Sequence, residues 1–161
     1  MFLRGGQEAI HHPADDAGAA EPARPWARAA CLLGAFACTC LTVGNIVSPV
    51  AAWVAPVLML RFVRRSSLVA GLGVGALVQM AAHILAWHPV MPFSGWMLYA
   101  LPAAIGLVFF VPYIVDRLLS PRLGGMAATL VFPSALVVSE FLLGQAGIGS
   151  WGAIAYSQYG N

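Results

Sequence analysis

Lysine is absent from this chain, and charge of any kind is scarce: nine per cent of the 161 residues are charged and sixty per cent are hydrophobic. Soluble domains carry roughly a quarter charged residues, so the composition excludes an ordinary water-soluble domain and indicates an integral membrane protein. Cysteine is scarce as well. The three present, Cys31, Cys38 and Cys40, share one apolar stretch, which argues against a disulfide framework and a CxxC metal site. Cys38 and Cys40 are two positions apart and point to different faces of a helix, so they are expected to be packing thiols. The eight bases are all Arg, and the net charge is +2. That weak balance gives no sign of nucleic acid as a partner, and no metal or other cofactor is expected.

Residues 1–24 are polar, rich in Ala, Gly, Pro and Asp, and without apolar periodicity. Such a stretch reads as a disordered tail, within which the adjacent His11 and His12 are not expected to hold a metal. Five apolar segments follow, at about 29–44, 46–63, 67–87, 96–115 and 125–143. A helix needs about 20 residues to span the hydrocarbon core, within a range of about 17 to 25. The last three segments meet this; the first two are marginal and are alternatively a helical hairpin turning at Asn45–Pro49. Unpaired backbone amides are not tolerated in lipid, so the expected fold is an all-α integral membrane bundle of about five transmembrane helices over residues 25–144. Residues 145–161, rich in Gly, aromatic and amide side chains, are expected to form an extracytoplasmic interfacial segment.

The arginines supply a topology. Arg4, Arg24 and Arg28 precede the first span, Arg61, Arg64 and Arg65 follow the second, and Arg117 and Arg122 lie between the fourth and fifth. If five spans alternate, all eight fall on one side, which the positive-inside rule makes cytoplasmic. The N-terminus is then cytoplasmic and the segment from Trp151 to Asn161 external. A competing reading is a signal peptide cleaved after Ala35-Phe36-Ala37, though the hydrophobicity continues past that site. Pro56, Pro102, Pro112 and Pro133 lie in or near spans, where each removes a backbone donor. Pro56–Arg61 and Pro112–Arg117 share a spacing of five, read as two helices that each carry a kink and an Arg anchor.

Among the remaining motifs, the glycines of Gly71-Leu72-Gly73-Val74-Gly75 lack the preceding strand and following acid of a dinucleotide loop; small residues admitting close helix approach explain them better. His83 is expected to hydrogen-bond inside the bundle, and His88 to begin an exposed loop. Glu140 is an ionisable residue within a span and therefore a functional candidate. It is equally suited to tethering the following loop by accepting from Gln145, Ser150 or backbone amides.

Phe132-Pro133, Glu140, Trp151-Gly152 and Tyr156-Ser157-Gln158, in this order after such a topology, resemble the end of the N-terminal membrane region of apolipoprotein N-acyltransferases. The similarity is sharpest over residues 130–161 and diffuse over 50–130. The resemblance implies a bacterial inner-membrane helix bundle carrying a nitrilase-type domain on its outer face. In that family a Cys thiolate takes an acyl chain from a membrane phospholipid and passes it to a lipoprotein amine, with a Glu base and an oxyanion-stabilising Lys. This chain has no Lys, and its cysteines all lie in the first span. It is therefore expected to be a membrane portion without catalytic residues, truncated or split from its catalytic domain. Glu140, Trp151, Tyr156 and Gln158 would then position substrate. The alternatives are a free-standing small polytopic protein with a lipid-binding or assembly role, and a transporter half.

Overall fold

The computed structural model describes residues 25–42 and 47–148. Residues 1–24 with His11 and His12, residues 43–46 where the hairpin turn was expected, and Ser150, Trp151, Tyr156 and Gln158 lie outside the described residues. Five helices occur in order: α1 (Pro25–Cys40), α2 (Pro49–Arg65), α3 (Leu68–Trp87), α4 (Met97–Leu119) and α5 (Gly125–Leu143). A 3₁₀ turn (Ser120–Arg122) follows α4, a π-helical turn (Gly144–Ile148) follows α5, and no strand occurs among the described residues. The fold is all-α.

Helix ends follow local chemistry. Pro25 and Pro49 begin α1 and α2, the position where a missing N–H costs nothing and φ is already helical. Helices α1 and α2 thus begin four and three residues from the starts expected of their apolar segments. Helix α4 runs to Leu119, past the end of its apolar run, and carries Asp116 and Arg117 as its last turns. Helix α5 covers the segment expected of it.

Three stretches, Leu68–Trp87, Met97–Arg122 and Gly125–Ala146, are long and apolar enough to cross a membrane, which marks a multi-pass membrane protein. At 1.5 Å per residue α3, α4 and α5 are about 29 to 35 Å long, whereas α1 and α2 reach only about 24 and 26 Å, short of the roughly 30 Å hydrocarbon core. The long helices turn large apolar side chains outward, among them Val69, Leu77 and Leu85 of α3, Leu107 of α4, and Leu130, Val137 and Phe141 of α5. In water such a surface would drive aggregation; toward lipid it is the expected exterior.

Helix α1 packs on α2 and α3, α3 on α4, and α4 on α5. Between α1 and α2 the Ser48 N–H donates to the Leu41 carbonyl at 2.8 Å. The core joins Ala35 of α1, Met59, Phe62 and Val63 of α2, Phe110 and Tyr113 of α4, and Phe132 of α5. Tyr113 bridges two helices, its ring centroid 5.4 Å from that of Phe110 and 4.8 Å from that of Phe132.

Lipid is as apolar as a protein core, so packing rather than escape from water drives helix association here. The glycines show where it is closest. A Cβ on Gly75 would lie 2.8 Å from the Phe110 ring, and one on Gly71 would lie 3.0 Å from the Val63 carbonyl oxygen, while one on Gly73 would meet nothing within 4 Å. The i, i+4 pair Gly71–Gly75 is thus the packed face of α3, as expected of small residues in the glycine motif. On α4, a Cβ at Gly106 would stand 3.0 Å from the Gln79 oxygen and from Met80 Cα. There α3 and α4 meet backbone against backbone.

Candidate functional site

Only two carboxylates, Asp116 and Glu140, occur among the described residues, and they lie toward opposite ends of the bundle. Asp116 is one turn from the C-terminus of α4, its side chain 1% exposed. Arg64, in the last turn of α2, holds it in a fork: Nε donates to Oδ2 at 2.8 Å and Nη2 to Oδ1 at 2.7 Å. This two-bond arrangement is the strong, orientation-specific form of an Arg–carboxylate pair. The hydrogen bond to Asp116 raises the Arg64 pKa above its ordinary value, outweighing the opposing effect of partial burial. Arg64 Nη2 also reaches Ser120 Oγ at 3.5 Å.

The next residue on α4 points elsewhere and completes a latch. Arg117 Nη1 donates to the Arg64 carbonyl, and Nη2 donates to the Ser66 carbonyl at 3.0 Å. The last carbonyls of a helix lack intrahelical donors and carry partial negative charge, and Arg117 satisfies these from a neighbouring helix. Ser67 then starts α3, its hydroxyl accepting from the Ala70 N–H at 3.4 Å. Consecutive residues of α4 therefore clamp the end of α2 and the turn into α3. Arg64, Asp116, Arg117, Ser120 and Pro121 line a shallow cavity of about 200 Å³.

Chain direction gathers the arginines around this latch. Arg61 and Arg65 lie beside Arg64 on α2, and Arg122 ends the 3₁₀ turn after α4. At the far end of α1, Cys40 Sγ lies 3.8 Å from the Ala82 carbonyl in the C-terminal part of α3, so α1 runs alongside α3 and its Arg28 falls at the arginine end. Arg61, expected as an anchor equivalent to Arg117, is exposed and makes no hydrogen bond or ion pair among the described residues. The spacing shared by the two Pro–Arg pairs thus corresponds to two different environments.

Glu140 is half-buried in the last turn of α5, toward the end away from the arginines. Its carbonyl, with that of Phe141, accepts from the Gly144 N–H at the start of the π-helical turn. Such turns are uncommon and recur at functional sites. The other three expected site residues, Trp151, Tyr156 and Gln158, follow that turn in sequence and lie outside the described residues.

Inside the bundle, His83 is buried with Nδ1 2.9 Å from the Gln79 carbonyl oxygen and its ring stacked on Phe109 at 5.6 Å. A hydrogen bond inside the bundle was expected of it, and its partner lies on its own helix. His88 is exposed at the end of α3, its ring 6.0 Å from that of Tyr99. The Gln79 side-chain oxygen is buried without a hydrogen-bond partner among the described residues. Cys31, Cys38 and Cys40 are free thiols, and no group of three metal-ligating residues occurs among the described residues.

Sequence reasoning passed over Asp116 altogether. The usable signal was present: one acid directly at the end of an apolar run, immediately before an Arg. No protein-family model, curated protein or solved structure matches the chain.

Proposed function

We propose that this chain is the membrane scaffold of an inner-membrane protein, its arginine end cytoplasmic and the segment after α5 presented to the outer face. In this reading all five helices cross, with α1 and α2 relying on a locally thinned bilayer or anchored flanks to make up their length. The observation that carries it is the polarity of the bundle. Arg64, Arg65, Arg117 and Arg122 gather where α2, α3 and α4 meet, while α5 leads Glu140 to the other end. The positive-inside rule assigns those ends to cytoplasm and exterior.

The activity best suited to this scaffold is support of phospholipid-to-lipoprotein acyl transfer by a catalytic domain outside this chain. Support comes from the resemblance over Phe132-Pro133, Glu140, Trp151-Gly152 and Tyr156-Ser157-Gln158, together with the π-helical turn next to Glu140. Glu140, Trp151, Tyr156 and Gln158 would orient the acyl donor or the lipoprotein amine; the chemistry would reside elsewhere. The second reading, a free-standing lipid-binding or assembly protein, draws support from the latch, which fastens α2, α3 and α4 without help from another domain.

Reporter fusions test the orientation. Periplasmic reporters are expected to be active at His88 or Gly147 and silent at Ser66 or Ser120; the reverse pattern refutes it. With a catalytic domain supplied, Glu140→Gln and Trp151→Ala are expected to insert normally yet slow acyl transfer. Normal transfer by both removes their assigned role.

A further inference from the structure

We propose that the cavity beside the Arg64–Asp116 latch is a phosphate-binding site, and that the phosphate it takes belongs to the headgroup of an anionic phospholipid. The idea rests on the basic end lying at the membrane surface, as in the proposed orientation, but the binding itself does not depend on which side that surface faces.

Three observations support it. The first is charge. Arg64 and Arg117 line the cavity around one carboxylate, Asp116, and Arg61 and Arg65 lie beside Arg64 on α2. That carboxylate is 1% exposed and already held by Arg64, so it presents little negative surface to an incoming ligand. The second is geometry. Arg64 uses Nε and Nη2 on Asp116, leaving Nη1 with no bond among the described residues. Arg117 is fixed by its two carbonyl contacts, and both of its Nη atoms keep a further hydrogen. Two guanidiniums anchored by other bonds need little ordering on binding, which favours affinity, and planar N–H forks suit phosphate oxygens. The Ser120 hydroxyl on the same wall supplies another donor.

The third observation is size and position. About 200 Å³ is the space of several waters at roughly 30 Å³ each, enough for a hydrated phosphate group and too little for an acyl chain. The rim residues Arg64 and Pro121 are exposed, and the cavity sits where the apolar length of α4 ends. Lipid phosphates occupy that level of a bilayer, and basic pockets at helix ends are suited to them.

The test uses the full chain purified in neutral detergent micelles. Native mass spectrometry and thermal unfolding would follow additions of phosphatidylglycerol, phosphatidylcholine or inorganic phosphate. Phosphatidylglycerol is expected to bind and raise the unfolding temperature, with phosphatidylcholine and inorganic phosphate much weaker. Ser120→Glu, which puts a negative charge on the cavity wall, is expected to weaken phosphatidylglycerol binding roughly tenfold or more. Pro121→Glu, at an exposed rim position, is the second variant should Ser120→Glu fail to fold. Arg122→Gln, outside the cavity lining, is expected to stay within about threefold.

Equal loss in Arg122→Gln and the cavity variants would mean diffuse surface attraction and would overturn the site. So would phosphatidylglycerol binding that neither cavity variant weakens, or no binding at all. Inorganic phosphate binding as tightly as the lipid, and equally sensitive to Ser120→Glu, would support the phosphate site and overturn the lipid as its source. A reversed reporter pattern, by contrast, refutes the orientation and leaves this result intact.

Discussion

Breaking the Arg64–Asp116 pair offers a quantitative check on the latch. Removing one partner of a fully buried ion pair costs about 3–5 kcal/mol, because the other charge is left in a poor solvent. A fully exposed pair contributes about 0–1 kcal/mol. Here the carboxylate is 1% exposed and the guanidinium 46% exposed, which places the site between those limits. Arg64→Met strands the buried carboxylate, and solvent near the vacated position screens part of the cost; about 2 kcal/mol of destabilisation is expected. Asp116→Asn keeps the shape and one acceptor but loses the charge, and about 1 kcal/mol is expected.

The two changes should not add. Once Asn replaces Asp, removing Arg64 strands no charge, and a coupling of about 1 kcal/mol is expected in the double-mutant cycle. Equilibrium unfolding in dodecyl maltoside micelles with a rising fraction of dodecyl sulfate, read by far-ultraviolet circular dichroism, measures all four proteins. Arg61→Met is the internal control, since Arg61 is exposed on the same helix and makes no ion pair among the described residues; its effect should stay within about 0.5 kcal/mol. A coupling below about 0.5 kcal/mol, or an Arg61→Met cost equal to that of Arg64→Met, would refute the reasoning.

Gly106→Ala should destabilise by about 1–3 kcal/mol in the same unfolding assay, because the new methyl meets the Gln79 backbone carbonyl oxygen and Met80 Cα at 3.0 Å. Gly73→Ala, with nothing within 4 Å of the new Cβ, should be neutral or slightly stabilising; a similar penalty at both positions would discredit the close crossing of α3 and α4. Gln79→Met should be neutral or stabilise by about 1 kcal/mol, since it removes a buried oxygen that lacks a partner. A clear loss of stability would refute the reading of this oxygen as unsatisfied.

The helices were legible because hydropathy acts over whole segments: α3 and α5 lie within a residue of their expected limits, and α1 and α2 proved the short ones. Glycine spacing was legible too, since Gly71 and Gly75 share a face by helical period and Gly73 does not. His83 needed only its own helix, for its partner is four residues away. The pairing of Asp116 was hidden because its neighbour in sequence, Arg117, points elsewhere, as adjacent residues on a helix do. Its partner lies 52 residues away on α2, and no local period connects them. The π-helical turn was equally hidden, because a glycine-containing run after an apolar helix reads as loop.

The clamp that Asp116 and Arg117 close over the end of α2 also orders events during synthesis. Their contacts reach back 51 to 53 residues along the chain. At about 5–20 residues per second, a ribosome that has just completed α2 needs roughly 3–10 s to supply the acid that holds it. For that interval Arg64 exists without its eventual carboxylate partner, and the end of α2 waits unfastened for α4.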